Sequence, residues 1–183
     1  MRELALHILD IAENSLHAQA DTIQITVTEK LAEDRLVISV IDNGRGMNSE
    51  MVQAVVDPFI TTRTTRKVGL GIPLLKAAAE ACNGRLDITS HPGKGTRIDV
   101  EFQHSHIDRM PLGDLSGTIF ALCVSNPQTH WLFYYYVDQQ EFRFDDLLIK
   151  EALGDISICE PTILSYLHEL LENGVNEIKP TYL

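Results

Sequence analysis

Hydrophobic and polar residues follow two distinct periods along the first half of the chain. Between Glu3 and Ala18 apolar residues recur every three to four positions, which predicts an amphipathic helix. Strict alternation from Thr22 to Thr28 predicts a half-buried strand. The same periods, bounded by turn residues, predict five further elements: a strand over 35–41, a helix from about Ser49 that ends before Pro58, a helix over 71–82, and strands over 85–91 and 96–102 that form a hairpin.

The second half of the chain is set off by a polar stretch over 104–114 that contains Pro111 and Gly113. Beyond it the pattern predicts strands over 118–124 and 131–137 and helices over 144–153 and 161–173. We therefore divide the chain into a domain over 1–103, a linker over 104–114 and a small α+β region over 115–183. This order of elements predicts an α+β fold, with helices on one face of a mixed sheet and a small C-terminal appendage.

Composition indicates a soluble globular protein, and the net charge argues against some classes of binding partner. The chain has 183 residues, 44% of them hydrophobic and 22% charged, which is enough for a buried core. A formal net charge of −11 argues against binding to nucleic acid or to an anionic membrane, because phosphates are repelled. Residues 1–105 hold 11 Lys and Arg against 14 Asp and Glu, whereas residues 106–183 hold 4 against 12. We therefore expect the acidic C-terminal region to select a protein partner.

Cysteine usage and the lack of long apolar runs predict a reduced, cytoplasmic protein. Cys82, Cys123 and Cys159 lie far apart, and no Cys or His cluster has zinc spacing. His7 and Asp10 interrupt the N-terminal apolar residues, so we expect no signal peptide. No run of about 18 apolar residues occurs, and we expect no membrane span.

Two segments carry polar residues in arrangements that suit chemistry. On the first helix Asp10 and Asn14 are four residues apart and share a face. A carboxylate and an amide oxygen so placed can hold a hydrated divalent cation and orient a nucleophile, although a solvated helix face is the simpler interpretation of this pair alone. Asp42 ends the second strand and precedes Gly44 and Gly46. Its carboxylate can accept from an exocyclic amine, and the glycines let the backbone approach a flat ring, but a plain turn also fits.

Two more segments follow in the first half. Residues 57–63 read Asp-Pro-Phe-Ile-Thr-Thr-Arg, an apolar anchor followed by hydroxyls and a cation. Residues 67–71 read Lys-Val-Gly-Leu-Gly and open a helix, where glycines expose backbone N–H groups and the positive end of the helix dipole to a polyphosphate. Each segment is a weak signal alone. The four together, in this order, predict a site for an adenine nucleotide.

These four segments resemble the N, G1, F and G2 boxes of the GHKL superfamily (gyrase, heat-shock chaperone, histidine kinase and MutL) over about residues 1–103. The resemblance implies a Bergerat-type two-layer α/β sandwich that binds ATP and Mg2+. Residues 13–16, Glu-Asn-Ser-Leu, look like the MutL version of the first box, whereas residues 58–63 and 69–72 look like histidine kinases.

The resemblance also implies a role for each matching residue. Asn14 corresponds to the asparagine that coordinates Mg2+ and, through it, the triphosphate. Asp42 corresponds to the aspartate that accepts from the adenine amino group, and Thr96 to a hydroxyl that helps to hold this aspartate. The other residues that we expect to bind ATP lie beside the base or the phosphates: His17, Ala18, Gly44, Gly46, Met47, Arg63, Lys67, Gly69, Leu70 and Gly71.

Departures from the family pattern bear on the chemistry. Members that use an acid carry a glutamate four residues before the asparagine, and here that position holds Asp10, a candidate catalytic base that is one methylene shorter. Many histidine kinases carry a phosphate-binding lysine where this chain has His17. The lid over 60–68 is short, so we expect little lid closure. We expect His7 to pack at the edge of the site, and His104, in the linker, to be solvated.

The resemblance implies an ATP-binding regulator that phosphorylates or switches a partner protein, similar to the anti-sigma serine kinases. An acidic residue at Asp10 favours a hydroxyl nucleophile over an imidazole, because a carboxylate base assists an OH group more than a neutral ring. A slow ATPase switch and a binding module without catalysis are the alternatives. The sequence leaves the partner and the oligomeric state open.

Overall fold

The computed structural model describes residues 3–57, 71–154 and 156–180. Within these residues the chain forms helices and strands in both halves. The helices are α1 Leu4–His17, α2 Ser49–Val56, α3 Gly71–Ala81, α4 Leu115–Ser125, α5 Asp146–Leu153 and α6 Pro161–Ile178. The strands are β1 Thr22–Lys30, β2 Arg35–Asp42, β3 Arg85–His91, β4 Gly95–Gln103, β5 His130–Val137 and β6 Gln140–Asp145.

The strands form one six-stranded sheet in the order β3-β4-β2-β1-β5-β6. β1 is antiparallel to β2 and parallel to β5. The remaining neighbours pair antiparallel. The predicted α+β fold with a mixed sheet is therefore confirmed, and the C-terminal strands β5 and β6 continue the sheet of the first half beyond β1.

One face of this sheet is buried, because apolar residues occupy alternate positions on the central strands. The register places Ile25 of β1 between Val40 of β2 and Phe133 of β5, and all three side chains are fully buried. The helices close this face with apolar side chains that include Ile8, Ile11, Leu75, Ile119 and Leu167. Residues that point to the opposite face, such as Thr26 and Tyr134, remain partly exposed.

The strand predicted over 118–124 is wrong, since these residues lie within α4. Ile119, Leu122 and Cys123 are buried at helical spacing. Asp114 caps the helix by accepting a hydrogen bond from the Gly117 N–H at 2.8 Å. The β-branched and aromatic residues of this segment favour a strand, but α4 lies between α1 and α6, where an almost wholly apolar helix is stable.

Two more boundaries differ from the sequence predictions. The helix predicted over 144–153 begins at Asp146, because the residues before it pair with β5 as strand β6. The helix predicted to end at Asn173 continues to Ile178. Gly174 is buried in that helix, where the ring of Phe142 packs so closely that a larger residue would overlap it. The glycine therefore serves packing and does not end the helix.

The segment predicted as a linker packs against the first helix. The carbonyl oxygens of Pro111 and Leu112 accept hydrogen bonds from the N–H groups of Leu4 and Ala5 at 2.9 and 2.8 Å. These N–H groups belong to the first turn of α1 and have no partner within the helix itself. The segment thus completes the N-terminal end of α1.

His104 is buried, which corrects the expectation that it is solvated. It is 8% exposed, and its Nε2 lies 2.6 Å from Oε2 of Glu29. The hydroxyl of Tyr135 donates to the other carboxylate oxygen of Glu29. The result is a buried polar network that joins β1, β5 and the segment after β4.

All three cysteines are free thiols, with Cys82 and Cys123 buried and Cys159 exposed. Among the described residues, no helix is both long enough and apolar enough to span a bilayer.

Candidate functional site

Asp42 is the centre of the site. It ends β2 and is 8% exposed. Its Oδ1 accepts hydrogen bonds from the N–H groups of Gly44 at 2.9 Å and Thr96 at 3.2 Å, and its Oδ2 accepts from the hydroxyl of Ser15 at 2.7 Å. These donors come from a turn, from β4 and from α1, so three parts of the fold hold the carboxylate in one orientation. A carboxylate has about four acceptor positions, and Asp42 can therefore accept one more hydrogen bond from a ligand.

Ser15 is a site residue that the sequence did not predict. It occupies a position in the apolar period of α1, which indicated only a place in the core. It is 3% exposed, and its hydroxyl lies 2.7 Å from Oδ2 of Asp42 and 3.3 Å from the carbonyl oxygen of Ile11. The signal in the sequence that could have identified Ser15 was a hydroxyl residue next to Asn14, at a position that the helical period predicts to be buried.

Thr96 contacts Asp42 through its backbone N–H. The family resemblance implies that its hydroxyl also helps to hold Asp42, often through water. That hydroxyl lies 2.9 Å from Oγ of Ser90. Ser90 also accepts from the N–H of Met47 at 2.8 Å. Ser90, which we did not predict, therefore ties the β3–β4 hairpin to the turn that follows Asp42.

The turn after Asp42 is anchored to α1 and to the hairpin. The Arg45 N–H donates to the carbonyl oxygen of Ala18 at 2.9 Å, and the Arg45 carbonyl accepts from the Gly93 N–H at 2.7 Å. Gly44 is buried, and a methyl group there would lie 2.8 Å from the same Ala18 oxygen. The structure thus brings the predicted residues Ala18 and Gly44 together, with Ala18 acting through its backbone.

Gly46 allows two backbone segments to approach each other. Its φ is +66°, and a methyl group there would overlap the carbonyl oxygen of His91. Left-handed backbone and lack of space both favour glycine. Met47, the next residue, is half-buried. Any larger residue than glycine would therefore separate this turn from the hairpin.

Asp10 and Asn14 lie one turn apart on α1, as predicted, and Asp10 meets the first residue of α3. A methyl group on Gly71 would lie 2.5 Å from Oδ2 of Asp10, so the carboxylate sits against the N-terminal end of that helix. This end carries partial positive charge, which suits a carboxylate or a phosphate. The side chain of Asn14 is exposed. Its amide oxygen and the Asp10 carboxylate are the hard oxygen ligands that Mg2+ prefers, so these residues fit a hydrated magnesium ion.

The two histidines of α1 differ in their surroundings. His17 is exposed, and its Nδ1 lies 2.7 Å from the carbonyl oxygen of Glu13, so Nε2 is the ring nitrogen that can reach a ligand. His7 is 4% exposed, and burial lowers the pKa of its ring, while Asp10 and a hydrogen bond with the backbone of Gly71 oppose that shift. His7 is thus packed beside Asp10 at the start of α3.

Several predicted residues lie outside the described parts of the chain. They are Arg63, Lys67, Gly69 and Leu70, together with the lid predicted over 60–68. Of the glycine segment that we expected at the phosphates, Gly71 is described.

An acceptor carboxylate, a glycine turn and a helix that begins at a glycine beside Asp10, on an α+β sandwich, are the features of a nucleotide-binding domain of the Bergerat type. Residues 2–106 match the family described as “Histidine kinase-, DNA gyrase B-, and HSP90-like ATPase”. The chain belongs to this family and carries an ATP-binding domain of the histidine-kinase type.

The similar curated proteins are kinases that are much longer than this chain. Sensor histidine kinase ZraS of Klebsiella oxytoca is 35% identical over 89 residues, which are 48% of this chain and 19% of that protein. Sporulation kinase D of Bacillus subtilis is 28% identical over 93 residues, which are 51% of this chain and 18% of that protein. The chain therefore spans about a fifth of the length of these relatives.

A solved structure supports the fold. The crystal structure of the N-terminal domain of a DNA repair protein superposes with a TM-score of 0.57 at 15% identity, over 78% of this chain and 52% of that one. At this identity the likeness concerns the fold alone. The superposition covers 78% of this chain, which is more than the residues 2–106 that the family match spans.

Proposed function

We propose that this protein binds Mg-ATP around Asp42 and uses it to phosphorylate, or to switch the state of, a partner protein. The observation that carries the nucleotide part is the buried Asp42 carboxylate, which three donors hold in one orientation. Family membership supports ATP as the nucleotide. The similarity to proteins named as sensor and sporulation kinases supports a signalling role.

Asp42 selects adenine in this proposal because a carboxylate accepts hydrogen bonds and does not donate them. The exocyclic amine of adenine is a donor, whereas inosine carries a carbonyl oxygen at the same position. Two facing acceptors repel each other, and a buried acceptor that loses its donor costs about 1–3 kcal/mol. ATP is therefore expected to bind at least about 10-fold more tightly than inosine triphosphate.

The phosphates lie at the N-terminal end of α3 in this proposal. Gly71 opens that helix, and the residues that the family resemblance assigns to the phosphates come just before it in the chain: Arg63, Lys67, Gly69 and Leu70. Asn14 holds Mg2+ through its amide oxygen, and the ion, when bound, offsets the charge of the triphosphate. His17, one turn further along α1, is the remaining candidate for a phosphate contact.

Asp10 is the proposed base. Its carboxylate lies against Gly71 and one turn from Asn14, and therefore beside the proposed phosphates. It takes the proton of a serine or threonine hydroxyl of the partner while the hydroxyl oxygen bonds to the γ-phosphorus, the bond to the bridging oxygen breaks and ADP leaves. The same carboxylate can activate a water molecule, so slow ATP hydrolysis is the second candidate function.

Calorimetric titration tests the nucleotide part. Wild-type protein, Asp42→Asn and Asp87→Asn are each titrated with ATP and with inosine triphosphate in the presence of magnesium. Asp87 lies on β3 with its side chain 68% exposed, so this control makes the same chemical change away from the site. We expect Asp42→Asn to lose ATP affinity by about 10-fold or more and the control to match wild type. Equal affinity of the wild type for both nucleotides would show that Asp42 does not recognise the exocyclic amine of the base.

Incubation with γ-labelled ATP and magnesium tests the chemistry. Label that appears on a partner protein indicates phosphorylation, released phosphate indicates hydrolysis, and neither indicates a binding module. Asp10→Asn should lower turnover while ATP affinity stays within about 2-fold. Glu13→Gln is the matched control, because Glu13 is an exposed acid on the same helix that faces about 100° away from Asn14. Unchanged turnover in Asp10→Asn would remove Asp10 as the base.

The partner is proposed to bind through the acidic C-terminal region. α6 exposes Glu169, Glu172 and Glu177, which suit a basic protein surface. Replacing these three residues with lysine should weaken the binding of the partner while ATP affinity is retained. We propose the cytoplasm as the compartment, since the proposed function uses ATP and all three cysteines are free thiols.

A further inference from the structure

Ser90 lies at the end of a row of three polar residues that crosses the sheet at the candidate site. In the register of the strands, Asp42 of β2 is paired with Thr96 of β4, and Thr96 is paired in turn with Ser90 of β3. Paired residues have their side chains on the same face of the sheet, with Cβ atoms about 4.5–5.5 Å apart. The side chain of Thr96 therefore lies between the proposed acceptor of the adenine amine and the hydroxyl of Ser90.

The hydroxyl of Ser90 has three hydrogen-bond contacts. Its oxygen lies 2.8 Å from the backbone nitrogen of Met47, 3.0 Å from the carbonyl oxygen of Gly95 and 2.9 Å from the hydroxyl oxygen of Thr96. A hydroxyl offers one proton and two lone pairs, whereas a backbone N–H only donates and a carbonyl only accepts. Ser90 therefore accepts from Met47 and donates its one proton to Gly95. For the third contact to be a hydrogen bond as well, Thr96 must be the donor.

The opposite direction, in which Ser90 donates to Thr96, would waste the contact with Gly95. The carbonyl oxygen of Gly95 would then lie 3.0 Å from an oxygen that has no proton to give, and two facing acceptors repel each other. Gly95 is also held in place, because a methyl group on it would overlap the carbonyl oxygen of Asp42. The arrangement with Thr96 as the donor satisfies all three contacts and is therefore the stable one.

We infer that Ser90 is a positioning residue, which fixes the direction of the Thr96 hydroxyl so that the adenine end of the site only accepts hydrogen bonds. With its proton on Ser90, Thr96 presents a lone pair beside the Asp42 carboxylate, which also only accepts. A ligand amine can donate to both groups, or one water molecule can donate to both and accept from the amine. This inference rests on the proposed function, since it deepens the selection of adenine, and Ser90 itself does not touch the nucleotide.

Loss of the Ser90 hydroxyl changes what the site can accept. The Thr96 hydroxyl is then free to turn and to donate, directly or through a water molecule, to the carbonyl oxygen that inosine triphosphate carries in place of the amine. The preference for ATP over inosine triphosphate should therefore fall. If Ser90 only held the turn at Met47, its loss would weaken the binding of both nucleotides by the same factor and leave the preference unchanged.

Calorimetric titration with ATP and with inosine triphosphate, in the presence of magnesium, gives the ratio of the two affinities for each protein. Ser90→Ala removes the hydroxyl, Ser90→Cys replaces it with a thiol that is a weak donor and a weak acceptor, and Ser90→Thr keeps it. Thr96→Val removes the group through which Ser90 acts, alone and together with Ser90→Ala. Ser165→Ala and Thr89→Val are the controls, because they make the same changes at exposed positions. The NMR spectrum of each variant checks its folding.

We expect Ser90→Ala, Ser90→Cys and Thr96→Val to lower the preference for ATP by about 5-fold. Ser90→Thr and both controls should keep it within about 2-fold of wild type. The double variant should have the same preference as Thr96→Val, because Ser90 acts through Thr96. An unchanged preference in Ser90→Ala, or additive losses in the double variant, would overturn the inference. If Ser90→Ala does not fold, an unchanged preference in Ser90→Cys overturns it instead.

The wild type separates this inference from the proposed function. A wild type that prefers ATP, with the same preference in the alanine and cysteine variants of Ser90, would overturn this inference alone. A wild type that binds both nucleotides equally, or neither of them, would overturn the proposed recognition of adenine as well.

Discussion

The hydroxyl of Ser15 lies 2.7 Å from Oδ2 of Asp42 and joins the first helix to the end of the second strand. The two residues are 27 positions apart in the chain. Ser15 follows Asn14 directly. One helical turn therefore carries both the proposed magnesium ligand and the residue that orients Asp42, the proposed acceptor of the adenine amine. The bond therefore connects the two ends of the candidate ATP site.

Replacing Ser15 with alanine should weaken ATP binding about 10-fold, because a hydrogen bond to a carboxylate contributes about 1.5–3 kcal/mol and Asp42 keeps its other donors. Calorimetric titration measures the change. Ser165→Ala is the control, since Ser165 also bonds to the carbonyl four residues earlier but lies exposed on α6. If both variants bind ATP as wild type does, Ser15 does not orient Asp42 for the ligand.

Gly46→Ala should destabilise the protein by more than 2 kcal/mol (about 1 kcal/mol for the left-handed backbone and more for the overlap with the His91 carbonyl). Urea unfolding measures this free energy, and ATP binding should fall as well, since the turn beside Asp42 moves. Gly93→Ala is a matched control, because Gly93 also has a positive φ of +74° but no atom lies within 4 Å of an added methyl group. The control should lose only about 1 kcal/mol. Equal losses in the two variants would show that the approach to His91 does not matter.

The polar residues of the site could be predicted only where they belong to a sequence pattern. Asp42 and Gly46 stand in a strand-end turn that the sequence shows directly. Ser15 occupies a buried position of α1, where periodicity predicts core packing and gives no sign of a polar partner. That partner, Asp42, is far away in the chain and becomes a neighbour only when α1 packs across the sheet.

The fold was predictable for the first half of the chain and less so for the second. Alternation on β1 and β2 reflects one buried and one open face, which local sequence records well. α4 packs against α1 and α6, and its apolar residues extend beyond the buried stripe, so neither period stands out over 118–124. At Gly174 the local signal for a helix end was overridden by the packing of the Phe142 ring.

Alkylation of the native protein should modify Cys159 alone. Burial raises the pKa of the Cys82 and Cys123 thiols, so that little thiolate forms, and it also blocks access of the reagent. Mass spectrometry after treatment with iodoacetamide should show one adduct per chain, and three after unfolding in urea. Cys159→Ser should remove the native adduct. Modification of Cys123 in the native protein would indicate that α4 opens from the core.

Tyr135→Phe should lower the free energy of unfolding by about 1–3 kcal/mol, because it removes the hydroxyl that donates to the buried carboxylate of Glu29. Tyr134→Phe, one position along β5, makes the same change on the partly exposed face of the sheet and should cost less than about 0.5 kcal/mol.

Urea unfolding should give one transition for both variants. Glu29 belongs to β1 and Tyr135 to β5, and these strands pair directly in the sheet, with His104 bound to the same carboxylate. The C-terminal strands therefore unfold together with the ATP-binding part. Two transitions, of which Tyr135→Phe shifts only one, would show instead that residues 115–183 fold as a separate unit, and an equal loss in both variants would show that the Glu29 network adds no stability.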